Sequence, residues 1–241
     1  MSYSLLVLSP ANGKRLIAKA VLKHSLFREA ISRGTVILAL GTTNALIYEE
    51  LTGERINPEY FAAGIIKDYL GVTEPSKRVS PLVLYKGEKV DLPWLEALKT
   101  MNKDSVFIKG ANAYDELGLV GILVGGEAGG TIGQALGTLS MRGIKTIVPI
   151  GTEKRVPSVL ESSRLLTEPL IKNNNMRVGM MVIPNATIIT EITAFKILFN
   201  VDATLVAAGG IDGYEGSSVF VIQGQDQNVA KAIKTINIIN E

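Results

Sequence analysis

The sequence predicts an α/β fold whose main sheet is mostly parallel and carries helices on both faces. Two observations predict it: short, nearly continuous apolar runs recur along the chain, and segments with helical spacing of apolar residues separate them. Strands buried on both faces produce such runs, and their alternation with helices is typical of parallel sheets. With 46% hydrophobic and 20% charged residues, the composition is that of an ordinary globular protein.

The predicted elements follow one another along the whole chain. The apolar runs that we interpret as strands are residues 5–8, 35–40, 82–85, 119–124, 146–150, 178–183, 203–208 and 218–222. Helical spacing predicts helices at residues 12–31, 158–166 and 191–199, with others after residue 44 and near residue 236. We therefore expect an α/β ligand-binding domain at residues 1–175 and a small C-terminal α+β lobe at residues 176–241, with a single domain as the alternative.

Charge and residue counts exclude several function classes. The chain has no cysteine, which excludes disulfides and thiolate chemistry, and its single histidine makes histidine-rich metal sites remote. A net charge of +2 gives no reason to expect nucleic acid as a partner. No apolar run approaches the roughly 18–20 residues that span a bilayer. We expect a cytoplasmic protein with no metal ion, no cofactor and no membrane partner, and we leave assembly into a homo-oligomer open.

A first candidate ligand loop follows the apolar run at residues 35–40. It consists of Gly41, Thr42, Thr43 and Asn44, and a helical pattern begins directly after it. Backbone N–H groups at a helix N-terminus favour anions, and threonine hydroxyls add donors. The pattern predicts a phosphate site here, although a tight turn capped by threonine explains it equally well.

A second candidate region extends from residue 106 to residue 142. An apolar run ends at Lys109 and Gly110, with Asn112 close behind, and the next run breaks on a glycine-rich loop at residues 125–131. In that loop Gly129, Gly130 and Thr131 precede a helical pattern, which predicts a second anion loop. Thr131 stands where a triphosphate-binding loop requires lysine, which argues against a site of that kind. A purely structural glycine turn is the alternative to an anion loop. We also expect Gly110 and Asn112 to contact the ligand.

Three residues of this region are candidates for catalysis. Lys109, at the end of an apolar run, is suited to polarise a carbonyl or to pair with a phosphate. Asp115 and Glu127 are the candidate proton carriers. Each has a plainer interpretation, since lysines often extend from strand ends, aspartate is a common turn former and Glu127 fits a solvated side chain.

Two segments resemble a known superfamily. ILALGTTNAL resembles the phosphate element of the ribose-5-phosphate isomerase, glucosamine-6-phosphate deaminase and CoA-transferase-like superfamily, and IKGANAYDELGLVGILVGGEAGGTIG is similar in layout to a strand end and glycine loop of related isomerases. The resemblance covers about residues 15–155 and implies a Rossmann-like open fold with a substrate phosphate near residues 41–44. Asn112 stands where those isomerases place a catalytic carboxylate, and an amide cannot shuttle a proton at neutral pH.

The sequence therefore predicts a protein that binds a small phosphorylated or otherwise anionic metabolite. The leading hypothesis is a sugar-phosphate isomerase-like enzyme that transfers protons. A non-catalytic ligand-binding or regulatory protein on the same fold is the alternative, and Asn112 is the observation that favours it. CoA-linked acyl transfer is a third hypothesis, which follows from fold analogy alone.

Overall fold

The structure is a computed structural model that describes residues 1–126, 128–168 and 176–241. The strands are Ser2–Leu8 (β1), Thr35–Leu38 (β2), Gly64–Ile66 (β3), Leu70–Val72 (β4), Leu82–Tyr85 (β5), Glu88–Lys89 (β6), Val106–Ile108 (β7), Ala113–Tyr114 (β8), Val120–Val124 (β9), Lys145–Pro149 (β10), Gly179–Ile183 (β11), Ala186–Ile189 (β12), Asp202–Gly209 (β13) and Ser217–Gly224 (β14). The α-helices are Pro10–Lys23 (α1), Ser25–Arg33 (α2), Thr42–Thr52 (α3), Trp94–Thr100 (α4), Gly130–Arg142 (α5), Val159–Leu165 (α6), Glu191–Phe199 (α7) and Asp226–Asn240 (α8).

The largest sheet in the described residues has six strands in the order β12-β10-β7-β2-β5-β6. The pairs β12–β10, β10–β7 and β7–β2 are parallel, whereas β2–β5 and β5–β6 are antiparallel. The prediction of a mixed α/β fold is confirmed, but the sheet is only partly parallel. The reason is that the short β5–β6 hairpin, whose strands a tight turn joins, adds to one side of β2 in the antiparallel sense.

Residues of the central strands alternate between two hydrophobic cores. Val36 and Leu38 of β2 belong to the core that contains buried residues of α1, α3, α7 and α8. Ile37, between them, belongs to the core formed with α4 and α5. Helices therefore cover both faces of the sheet, which explains why β2 is buried at every position.

A second sheet, antiparallel and in the order β1-β14-β13, packs beside the main one. On β1, Leu6 and Leu8 are buried, whereas Leu5 and Val7 are exposed. The prediction of a fully buried strand at residues 5–8 was therefore wrong. An edge strand of an antiparallel sheet covers a core with one face only, and a short apolar run does not reveal this.

The expected domain boundary near residue 175 lies outside the described residues. Strands from its two sides pair with one another: β12 with β10, β11 with β9, and β14 with β1. These shared sheets favour the single-domain alternative.

The described parallel strands cross the sheet in chain order, from β2 through β7 and β10 to β12. Ligand crevices in open α/β sheets form where the strand order reverses, and this run of parallel strands contains no reversal. The Rossmann-like arrangement thus stays a prediction. The parallel pairing has one firm consequence, which is that all four strands point their carboxyl ends to the same edge.

Candidate functional site

Polar and charged residues follow the parallel strands at this shared edge. Lys109 directly follows β7, the short 3₁₀ turn Thr152–Lys154 comes after β10, and Glu191 begins α7 just beyond β12. The N-terminal part of α1 and strand β14 complete the surroundings, because Gly13 lies against Glu191 and the Thr152 and Ser218 hydroxyl oxygens are 3.3 Å apart.

Lys109 is held between two strand ends. Its Nζ donates to the carbonyl oxygens of Leu40 at 3.1 Å and of Gly110 at 3.4 Å. Burial and, to a smaller extent, repulsion from the Lys154 ammonium together lower the pKa of Lys109 to about 8. An amine with this pKa is neutral in a measurable fraction of molecules at physiological pH.

Lys154 brings a second ammonium group to the same place. Its Nζ donates to the carbonyl oxygen of Ala111 at 3.1 Å, one residue beyond the carbonyl that Lys109 contacts. Burial lowers the pKa of Lys154, and repulsion from Lys14 adds to this, whereas Glu153 and Glu191 act in the opposite direction. The edge therefore gathers positive charge at a site that is partly removed from water.

Glu191 is a buried carboxyl group beside this charge. It is 3% exposed, and its Oε2 accepts a hydrogen bond from the Thr152 N–H at 2.8 Å. Burial raises its pKa to about 7, against the opposite effect of that hydrogen bond. A Cβ at Gly13 would lie 2.5 Å from Glu191 Oε1, so a larger residue there would require the carboxyl group to move.

Tyr114 adds a phenol to the group. Burial raises the pKa of Tyr114, the negative charge of Glu191 raises it further, and Arg155 opposes both. The phenol is thus kept in its neutral, proton-donating form.

The loop at residues 41–44 adjoins Lys109, which donates to the preceding carbonyl of Leu40. Thr42 and Thr43 form the first turn of α3, where backbone N–H groups lack partners within the helix. Gly41 donates its N–H to Phe61 O at 2.7 Å, so that amide is already used.

Asn44 has a structural position in this loop. It is fully buried, and its Nδ2 donates to the carbonyls of Ala39 at 2.6 Å and Ile108 at 3.2 Å, which ties the ends of β2 and β7 together. Among the described residues, its buried Oδ1 has no hydrogen-bond partner. The side chain therefore fixes the strand ends that carry Lys109.

Asn112 and Asp115 are also bound to the backbone. Asn112 Oδ1 accepts from Leu123 N–H at 3.0 Å. Asp115 is 4% exposed, and its two oxygens accept from the N–H groups of Leu117, Leu119 and Val159 at 2.9 to 3.1 Å. Both oxygens of the carboxylate are engaged, which is the arrangement of a structural carboxylate that holds a turn and the start of α6.

Gly129, Gly130 and Thr131 begin α5, beyond the end of β9. On one side this loop adjoins β11, since a Cβ added at Gly129 would lie 3.4 Å from Met181 Sδ. Glu127, the third catalytic candidate, lies outside the described residues. The structure thus brings residues 41–44, Lys109 and Gly110 together, and it gives the 129–131 loop different neighbours.

Glu191 is the site residue that the sequence reasoning missed. The signal was present, because Ala186–Ile189 is a short apolar run and Glu191 follows shortly after it, as Lys109 follows β7. We interpreted residue 191 only as the start of a helix, since a four-residue strand after a turn is easily overlooked.

Comparison of the chain with known protein families, with characterised proteins and with solved structures finds no match. In residues 1–126, 128–168 and 176–241, no helix is long and apolar enough to cross a bilayer. The same residues contain no group of three or more His, Asp or Glu side chains arranged to hold a metal ion.

Proposed function

We propose that this chain binds a small phosphorylated or carboxylated metabolite at the carboxyl ends of β2, β7 and β10 and transfers a proton on it. The observation that carries the proposal is the pair of ammonium groups, Lys109 and Lys154, bound to the carbonyls of consecutive residues beside a buried carboxyl group. The proposed reaction class is that of a sugar-phosphate isomerase.

The anionic ligand follows from the charge of the site. Two like charges that are partly desolvated destabilise each other, and the negative charge of a ligand compensates both. The first turn of α3, which contains Thr42 and Thr43, adds to this, because a helix N-terminus favours negative charge.

Proton transfer follows from Glu191. A carboxyl group whose pKa is about 7 is populated in both protonation states at neutral pH, which is the condition for a general acid and base. Lys109 supplies a positive group that stabilises a developing negative charge on a carbonyl oxygen. Within this proposal Glu191 replaces Asp115, whose oxygens are occupied by backbone N–H groups.

The resemblance to the isomerase and CoA-transferase-like superfamily agrees with this proposal in the position of the phosphate loop. The family's catalytic carboxylate at the position of Asn112 is absent here, and the proposal fills that role with a residue from another strand end. A relation to the Rossmann-like fold of that superfamily belongs to the same proposal.

The first experiment is a thermal-shift screen with sugar phosphates, free nucleotides, CoA and simple carboxylates. A ligand at a hundred times its Kd stabilises the fold by about 2.7 kcal/mol. Lys109→Met and Lys154→Met are each expected to weaken binding of a hit on the order of 10–100-fold, because each removes a charged hydrogen-bond donor. Lys99→Met, which changes an exposed lysine paired with Glu96, is the matched control.

Turnover is tested with the same hits in deuterated water. The proposed enzyme exchanges a carbon-bound proton of the ligand, and Glu191→Gln abolishes the exchange while binding remains. Binding without exchange or conversion would establish the non-catalytic alternative. If no anion in the panel binds, or if Lys99→Met weakens binding as much as Lys109→Met, the proposed site is refuted.

A further inference from the structure

The two lysines of the site differ in the charged groups that act on them. Lys154 is influenced by the carboxylates of Glu153 and Glu191, which favour its charged form, and by Lys14, which opposes it. Lys109 is influenced by Lys154, which disfavours its charged form. Among the described residues, the charge of Lys154 thus has carboxylate support, whereas the charge of Lys109 is opposed.

Open space lies beside the Lys109 amine. A Cβ added at Gly110, whose carbonyl Lys109 contacts, would meet no described atom within 4 Å. A Cβ added at Gly41, on the facing strand end, would have Gly110 and Asn44 as its nearest neighbours, at 3.8 Å. The space beside the Gly110 Cα, between the two strand ends, is therefore open, and Gly110 also carries a carbonyl that the Lys109 amine contacts.

We propose that Lys109 is a nucleophile that forms an imine with the carbonyl carbon of an anionic aldehyde or ketone, while Lys154 holds the anionic group. The inference rests on the proposed function, because it uses the same site and the same class of ligand. It goes further in assigning a covalent intermediate to Lys109. A desolvated lysine beside a second cation is a known way to obtain a reactive amine.

The reaction balances without an oxidant or reductant. The Lys109 ammonium first loses a proton to solvent, and the lone pair of its nitrogen forms a bond to the carbonyl carbon while the carbonyl π electrons move to oxygen. That oxygen takes up two protons and leaves as water, and the nitrogen loses its two remaining protons as the C=N bond forms. The net change is an amine and a carbonyl converted to an imine and one water molecule.

The probe for this amine is pyridoxal 5′-phosphate, an aldehyde that carries a phosphate group, followed by sodium borohydride. Hydride reduces the imine to a stable secondary amine, and peptide mapping by mass spectrometry identifies the modified lysine. We expect Lys109 to be modified at least about tenfold faster than the exposed Lys99 at neutral pH, because more of its amine is neutral. Inorganic phosphate should slow the modification of Lys109 and leave that of Lys99 unchanged.

The pH dependence gives a second readout. The modification rate of Lys109 should rise with pH and reach half of its maximum near the pKa of about 8. Lys154→Met should slow modification of Lys109 at neutral pH, because the phosphate loses its partner and the repulsion that lowers the pKa of Lys109 is gone.

Two outcomes separate the inference from the proposed function. If anions stabilise the protein but Lys109 is modified no faster than Lys99, or if Lys154 is modified instead, the imine is refuted and the binding site stands. If Lys109 is modified selectively and phosphate competes, the imine is supported, even where no metabolite in the panel exchanges a proton. A melting temperature of Lys109→Met that equals that of the parent protein is the control for folding.

Discussion

Two strand–loop–helix elements of this chain, at residues 41–44 and 129–131, both combine a loop that contains glycine with a helix start. The first leaves β2, which lies between other strands of the main sheet, and Lys109 from the neighbouring strand end contacts its Leu40 carbonyl. The second leaves β9, which lies in an antiparallel three-stranded sheet, and packs on Met181 of β11.

The difference shows what turns such an element into a candidate site. Parallel neighbours deliver further strand ends to the same edge, so that Lys109, Lys154 and Glu191 meet beside the first loop. An antiparallel neighbour such as β11 runs past β9 in the opposite direction, and it brings the apolar Met181 near Gly129, while Gly126, Ala128 and Gly130 stay exposed. Both loops have the N–H donors of a helix N-terminus, but among the described residues only the loop at residues 41–44 also has the charged side chains of the neighbouring strand ends beside it.

The largest effect expected from this comparison is on stability as a function of pH. The carboxyl group of Glu191 has an ordinary pKa of 4.5 and a folded-state pKa of about 7, so the folded protein binds more protons between these values and loses stability as pH rises through them. Glu191→Gln removes this loss. We expect the variant to be more stable than the parent by on the order of 3 kcal/mol at about pH 8, and equally stable below about pH 4.5.

Urea unfolding across this pH range measures the effect. Glu161→Gln is the matched control, because Glu161 is exposed and its hydrogen bond with Arg164 lowers the pKa of its carboxyl group. If Glu191→Gln had no higher unfolding free energy than the parent above pH 7, the buried Glu191 carboxylate would not destabilise the folded protein. The contrast between the two loops would then be weaker.

The next effect, of about 2 kcal/mol, separates structural from functional carboxyl groups. Asp115→Asn keeps one acceptor oxygen but replaces the other with an NH₂ group. In the parent protein one of the two oxygens accepts from the Val159 N–H, and an NH₂ group in its place cannot accept that bond. Stability should fall by this amount, and anion binding should stay within a factor of about two, as for changes at independent sites. Calorimetric titration of the ligand tests this prediction. If the folded variant no longer bound the ligand, Asp115 would belong to the binding site.

Local patterns in the sequence predict the helices and strands of this fold better than they predict which of these elements lie next to one another. The helix predicted at residues 191–199 has those bounds in the structure. Helical spacing and turn residues are local properties, so a single sequence is enough to identify them. The predicted loop at residues 41–44 and Lys109 meet because β2 and β7 pair in parallel, which the alternation of strands and helices indicated.

Pairing between distant segments is what the sequence leaves open. The sequence pattern predicts one helix at residues 12–31, but the helix is interrupted at His24. The His24 side chain accepts a hydrogen bond from the Leu26 N–H and caps α2. Glu191 reaches the site because β12 adds to β10, and no local signal states which strand lies beside which. The burial of Asp115 likewise depends on Val159, 44 residues away.

The smallest effect expected, about 1 kcal/mol, comes from a matched pair of glycine substitutions. Gly129 has a φ of 66°, which L residues rarely adopt, and a Cβ there would lie 3.2 Å from Gly133 Cα, so Gly129→Ala should lower stability by about 1–2 kcal/mol. Gly41 has an extended φ and meets no atom closer than 3.8 Å, so Gly41→Ala should change stability by less than about 0.5 kcal/mol. Its methyl group, however, occupies space beside Gly110 and should weaken anion binding, whereas Gly129→Ala should not. Urea unfolding and ligand titration of both variants test this pair, and the reverse pattern would mean that the second loop, rather than the first, meets the ligand.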